Sequence, residues 1–262
     1  MKSKLKKTLR LTTKLLAIVL IIATLAGGVT AFAASTTQTL ANAPDLYNYV
    51  CQGYNGGSKG PIMITRATLQ DKYGLSKKTV YLVTLSGTDN VAYQATNVLT
   101  DIMVGLNLTN PLLDSASAAV LNAVPKGSNL IIAGHSLGGM VAQQLAASSK
   151  LKSNYNILNT VTFGSPLISA GLQEGKTCRL GDKADVVPYL SVNTFILPIH
   201  AIISLKTERS GFLATKAHTE SYRSSVWNSY DVLGNKGGNM KLILEVKTRA
   251  FFKAPNYFGL PY

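Results

Sequence analysis

The sequence predicts an α/β domain, with a mostly parallel central sheet covered by helices on both faces. Three observations predict it. Short β-compatible apolar runs alternate with helix-forming runs through the middle of the chain, the pattern of parallel βαβ units whose strands are buried on both sides. The run Ile131-Ile132-Ala133 breaks into Gly134-His135-Ser136-Leu137-Gly138 and resumes as helix-forming Met140-Val141-Ala142-Gln143-Gln144-Leu145-Ala146-Ala147. The 262 residues are 46% hydrophobic and 15% charged, which is globular and long enough for a large core. No internal repeat or low-complexity linker divides the chain.

The first residues are set aside from the fold. Lys2, Lys4, Lys6, Lys7, Arg10 and Lys14 precede an uncharged apolar run from Leu15, and Ala31-Phe32-Ala33 is an A-x-A cleavage signal. Residues 1–33 therefore read as a signal peptide, with 34–262 as the mature domain. An uncleaved anchor is the alternative, because residues 15–34 are long enough to span. The basic segment holds the N-terminus inside, so 34–262 is expected outside the cell in either case.

The whole chain carries a net charge of +14; without residues 1–33, 20 basic residues remain against 12 acidic ones, a net +8. Such a surface favours anionic membrane lipids or cell-wall polymers. Nucleic acid is not an expected partner, since the basic residues are scattered and no nucleic-acid-binding motif accompanies them. Cys51 and Cys178 leave a disulfide open. The three histidines are isolated and the cysteines lack C-x-x-C spacing, so neither metal nor cofactor is expected.

The elements follow in order. Residues 42–50 read as a helix capped by Asn42, with Pro44 in its first turn, and 54–58 as loop. Residues 61–69 and 79–85 read as strands joined by the Asp71-Lys72-Tyr73-Gly74 turn. A helix is expected over 90–104, a break at Asn107-Leu108-Thr109-Asn110-Pro111, and a second helix over 114–124 ended by Pro125-Lys126-Gly127. Strands are expected over 129–133, 155–163 and 176–180, the last two separated by Gly164-Ser165-Pro166. Residues 195–205 are an apolar stretch, either core or a wall beside the site, in which His200 reads as a core or pocket histidine. A short helix is expected over 221–233, then a turn at 234–238. The alternation of 240–246 suggests an added edge strand.

The chemistry centres on the Gly-x-Ser-x-Gly turn. A strand entering a turn too tight for side chains at Gly134 and Gly138 raises the Ser136 hydroxyl above the sheet edge. The helix behind it directs its N-terminal N–H groups to where an oxyanion would form. A serine hydroxyl becomes a good nucleophile only when a histidine takes its proton and a carboxylate orients that histidine. On an α/β-hydrolase fold these partners follow the serine in the order acid, then histidine, each on a loop at the sheet's C-terminal edge. Downstream lie Asp182 and Asp185 at the end of a strand, then His218.

These motifs together resemble the class 3 (fungal-type) lipase family: Gly134-His135-Ser136-Leu137-Gly138-Gly139, Thr162-Phe163-Gly164-Ser165-Pro166, Asp185-Val186-Val187-Pro188 and His218-x-x-x-Tyr222. Upstream, Leu85-Ser86-Gly87-Thr88-Asp89 is similar to the family's oxyanion loop, with Asn97-x-x-x-Asp101 behind it. The resemblance runs from about residue 42 to 230. It implies an α/β-hydrolase fold, with Ser136 as nucleophile, Asp185 as orienting acid and His218 as general base. It also implies an oxyanion hole made by the Leu137 N–H with Thr88. Asp185 matches the family's Asp-x-Val-Pro element; Asp182 is the alternative, since both follow the same strand. His135 reads as a packing or elbow-shaping residue.

The chain departs from the family pattern at Leu85-Ser86, where an aromatic residue and an arginine are usual. The room for a lid is modest, and Leu106, Leu108, Leu112 and Leu113 are the candidates for an apolar flap. The resemblance implies a secreted serine carboxylester hydrolase acting on acylglycerol or related lipid esters. A phospholipase for anionic lipids is one alternative. A catalytically silent surface-binding protein on the same scaffold is another, and it requires His218 and Asp185 to lie too far from Ser136 to hydrogen-bond.

Overall fold

The computed structural model describes residues 36–56, 59–87, 111–191 and 204–254, and residues Thr37–Tyr262 form one compact unit. The expected segments 1–33 and 90–104, together with Leu106, Leu108 and His200, lie outside the described residues.

The first helix, α1 (Ala43–Val50), starts as its sequence dictates. Asn42 is extended and its side chain accepts the Asp45 N–H at 2.9 Å, with Pro44 in the first turn. Strands β2 (Ile62–Asp71) and β3 (Lys77–Leu85) form an antiparallel hairpin. Its turn is organised by the Asp71 carboxylate, which accepts the N–H groups of Tyr73 and Leu75. From β3 the chain builds a parallel series: β4 (Asn129–His135), β5 (Asn156–Phe163), β6 (Lys176–Asp182) and β7 (Leu205–Glu208). On the other side β1 (Thr37–Leu40), β8 (Met240–Glu245) and β9 (Ala250–Phe252) join antiparallel. The order is β1-β8-β2-β3-β4-β5-β6-β7, with β9 also on β2.

Side-chain alternation sends each central strand into two cores. Ile131 and Ala133 of β4 pack with Tyr47, Phe163, Tyr222 and Trp227 on the α1 face. Leu130 and Ile132 pack on the other face with α2 (Pro111–Ala123) and α3 (Leu137–Ala147), through Leu112, Val120, Val141 and Leu145. The short helices α4 (Ser149–Lys152) and α5 (Ala214–Glu220) complete the described set. The expected sheet covered on both faces is the one observed.

Several expectations are corrected. Pro111 opens α2 rather than ending a break, because a proline at the first helical position lacks only an N–H that would be unpaired anyway. Leu112 is buried in the core and Leu113 packs against it, so neither belongs to a surface flap. Residues 221–233 form no single helix but two 3₁₀ turns, Ser221–Arg223 and Ser225–Trp227. Strand β8 lies between β1 and β2 rather than at an edge. Its alternation reflects one buried row, Leu242 and Leu244, facing the α1 core. Cys51 and Cys178 are both free and buried.

Candidate active site

Strand β4 runs directly into α3 through Ser136, whose backbone sits at φ 55°, ψ −125°. A non-glycine residue adopts this region only when its surroundings enforce it. They do so here by close approach. A Cβ on Gly134 would lie 2.3 Å from the Gly138 carbonyl oxygen, and one on Gly138 would lie 2.3 Å from that of Leu85. The elbow is thus wedged between its own helix and strand β3, and the Ser136 N–H is bound to the Phe163 carbonyl at 3.0 Å.

The structure brings Ser136, His218 and Asp185 together. His218 Nε2 lies 3.0 Å from Ser136 Oγ, and Nδ1 lies 2.9 Å from Asp185 Oδ2. The distance that a silent scaffold requires is absent. His218 was expected on a loop and instead sits in α5. Asp185 is in the turn after β6, where its Oδ1 accepts the Val187 N–H at 3.0 Å and its Oδ2 accepts the Tyr222 hydroxyl at 2.7 Å. Burial works to raise the Asp185 pKa, but the neighbouring His218 and the hydrogen bonds from His218, Tyr222 and Val187 outweigh it and hold the carboxyl below its usual value. Tyr222 stays protonated, its pKa pushed well up by burial and then by Asp185. Asp182 faces elsewhere: its carboxylate accepts the N–H groups of Ala184 at 2.8 Å and Ser210 at 2.9 Å. It clasps two loops and does not reach His218.

Leu137 is the first residue of α3, so its N–H has no carbonyl one turn earlier in the helix to bind it. Thr88 lies outside the described residues. The described end of its loop does reach the nucleophile: a Cβ on Gly87 would stand 3.3 Å from Ser136 Cβ and 2.5 Å from Tyr54 Oη.

His135 does more than shape the elbow. Its ring is buried against that of His218, with centroids 4.8 Å apart. Burial and then the neighbouring His218 depress its pKa to about 3, so it is neutral. Nε2 lies 2.9 Å from the His218 carbonyl oxygen, which can only accept, so Nε2 carries the proton. Nδ1 must then accept from the Tyr54 hydroxyl at 2.6 Å.

Three supporting residues escaped the sequence reading. Gly164 has φ +52°, and a Cβ there would lie 2.7 Å from Asp185 Oδ2 and 3.0 Å from His218 Nδ1. Gln143, fully buried on α3, donates to the Pro166 carbonyl at 2.8 Å and accepts the Ile168 N–H. Arg179, buried within β6, donates to the carbonyls of Ser165 (3.0 Å) and Pro188, joining the loops after β5 and β6. Burial lowers its pKa to about 10. The glycine was visible within a motif, but a buried polar residue in a helix or strand leaves no local signal.

A strand-turn-helix elbow on a central parallel strand, with acid and histidine following in chain order, defines an α/β-hydrolase. The chain belongs to the class 3 lipase family. The model of that family, lipase (class 3), matches residues 63–195, just over half of the 262 residues. The matched span includes Ser136 and Asp185 and ends before His218. No curated protein and no solved structure matches the chain. Family membership makes the chain a lipase- or esterase-type hydrolase and implies a lipid ester as its substrate.

Proposed function

We propose that the protein is an exported serine carboxylester hydrolase that cleaves acylglycerol or related lipid esters through a covalent acyl-enzyme. The observation that carries this reading is the position of His218, within hydrogen-bond reach of both Ser136 and Asp185. Asp185 accepts the Nδ1 proton of His218, which leaves the Nε2 lone pair facing Ser136. Ser136 Oγ attacks the ester carbonyl as its proton passes to Nε2. The N–H groups of Leu137 and Thr88 stabilise the resulting oxyanion. His218 then protonates the departing alcohol. Water enters, gives its proton to Nε2, and releases the acid from Ser136.

The excess of basic residues in 34–262, 20 against 12 acidic, favours a second reading, a phospholipase for anionic lipids. Rates on anionic vesicles that fall with salt would support it. Equal rates on neutral emulsions at every ionic strength would count against it.

Turnover of p-nitrophenyl esters from acetate to palmitate, with Ser136→Ala alongside, tests the assignment. Serine-dependent turnover that rises with chain length and substrate aggregation supports a lipase, and a short-chain optimum supports an esterase. Full turnover by Ser136→Ala would sink the triad, and a folded protein inert on every ester would overturn the carboxylester-hydrolase reading. For export, the N-terminus of protein recovered from the medium is expected at Ala34; a membrane-bound chain that retains residues 1–33 would indicate the anchor instead.

A further inference from the structure

The loop after β6 and the loop after β7 leave the sheet side by side. Asp182 is in register with Glu208, the Lys183 N–H donates to the Glu208 carbonyl at 2.8 Å, and the Ser210 N–H donates to the Asp182 carboxylate at 2.9 Å. The first loop leads into Asp185 and the second into α5, which carries His218. Both therefore stand at the sheet edge that holds the candidate site. Apolar side chains project there into solvent: Val186 is 56% exposed, Phe212 38% and Leu213 83%. They are interleaved with the exposed Lys183, Arg209 and Lys216.

The charge at this edge is one-sided. Among the described residues of the two loops and α5, Asp182 and Asp185 are buried and hydrogen-bonded. Glu208 is held by Lys236 at 2.7 Å and by the Tyr230 hydroxyl, and Glu220 pairs with Arg223 at 3.2 Å. The three cations face no exposed unpaired carboxylate on these segments. Apolar tips set among cations that outnumber the free carboxylates suit one kind of surface, in which acyl chains lie beneath negative headgroups. A neutral bilayer would leave the cations without counter-charge, and a water-soluble anion would leave the apolar tips exposed.

We propose that the edge formed by Lys183, Val186, Arg209, Phe212, Leu213 and Lys216 docks the protein on an anionic lipid bilayer, with the candidate site facing the membrane. This deepens the lipid-ester reading and rests on it for its purpose, but its test does not depend on turnover. The Ser136→Ala protein is mixed with vesicles of phosphatidylcholine alone or with 30% phosphatidylglycerol, and binding is measured by co-sedimentation at low and high salt. Affinity for the anionic vesicles is expected to be at least about tenfold higher and to fall with salt. Replacing Lys183, Arg209 and Lys216 together by Gln should weaken it by on the order of 100-fold. Phe212→Ser with Leu213→Ser should weaken binding to anionic vesicles as well. In the Ser136-containing protein, both variants should retain turnover of a short soluble ester, which shows that they fold. Equal binding to both vesicle types, or variants that fold and bind as tightly as the parent, would overturn the proposal. Soluble-ester turnover without vesicle binding overturns the docking alone; vesicle binding without any ester turnover overturns the hydrolase reading and leaves the docking edge in place.

Discussion

Tyr222 donates its hydroxyl hydrogen to Asp185 Oδ2 at 2.7 Å, the same oxygen that meets His218 Nδ1 at 2.9 Å. Two donors thus converge on one carboxylate oxygen, and the Val187 N–H takes the other at 3.0 Å. A buried carboxylate remains ionised when its lone pairs are filled in this way.

Tyr222→Phe keeps the ring in place among Tyr47, Phe163 and Trp227 and removes one donor to a charged acceptor. Such a bond contributes about 1.5 to 3 kcal/mol, so kcat should fall about tenfold or more with KM little changed. The Asp185 pKa should rise, moving the acid limb of the pH–rate profile to higher pH. A profile that superimposes on the parent's would show that the hydroxyl only packs.

Gly164→Ala places a methyl 2.7 Å from Asp185 Oδ2 at a residue with φ +52°. The strained backbone costs about 1 kcal/mol or more, and the larger effect is on geometry. Displacing a catalytic pair by about 1 Å costs on the order of 100-fold in rate. Steady-state kinetics should therefore show a much greater loss than thermal melting does; a variant at parental kcat would mean that the loop yields freely.

His135, neutral with a pKa near 3, links folding to pH. An unfolded histidine takes up its proton near pH 6.5, so between about pH 3 and 6.5 the unfolded chain binds the extra proton. Stability then falls as pH is lowered through that window, by about 1.4 kcal/mol per unit from this group. Above about pH 6.5 the contribution is complete. His135→Gln should flatten the dependence of unfolding free energy on pH between 4 and 6 relative to the parent. Parallel curves for the two proteins would contradict the buried neutral imidazole.

Arg179 donates to the Ser165 and Pro188 carbonyls from within the core. Arg179→Met leaves those carbonyls short of a donor, and breaking such a network costs about 2 to 4 kcal/mol. The melting temperature should fall by roughly 4 to 16 °C for a domain of this size. An unchanged melting temperature would mean that other donors replace the guanidinium.

The contrast between Asp185 and Asp182 shows where the sequence stops being informative. They are three residues apart: Asp182 closes β6 and Asp185 lies in the turn just beyond it. Asp182 is occupied by Ser210, which arrives because β7 pairs parallel to β6. That leaves Asp185 for a histidine 33 residues further on. Strands β1, β7 and β9 were not anticipated for a related reason. Each has only three or four residues, and such segments are strands because a distant partner pairs with them rather than by their own propensity.

The sequence by itself determined whatever rests on neighbours a few residues apart. That includes the Asn42 cap, the Asp71 turn and the unbroken apolar run that makes β4 a strand buried on both faces. It also includes the near side of the elbow, where Gly134 is required because the Gly138 backbone would occupy the place of its side chain; Gly138 itself answers to Leu85, which the fold brings there. The tertiary structure alone decided which carboxylate meets His218, and that Tyr54 and His135, 81 residues apart, share a hydrogen bond. It alone set Gln143 as a buried tie from α3 to the loop after β5, and Arg179 as one between the loops after β5 and β6. Local sterics and propensity are written in consecutive residues, whereas a buried polar group is stabilised only by partners that the fold carries to it from far along the chain.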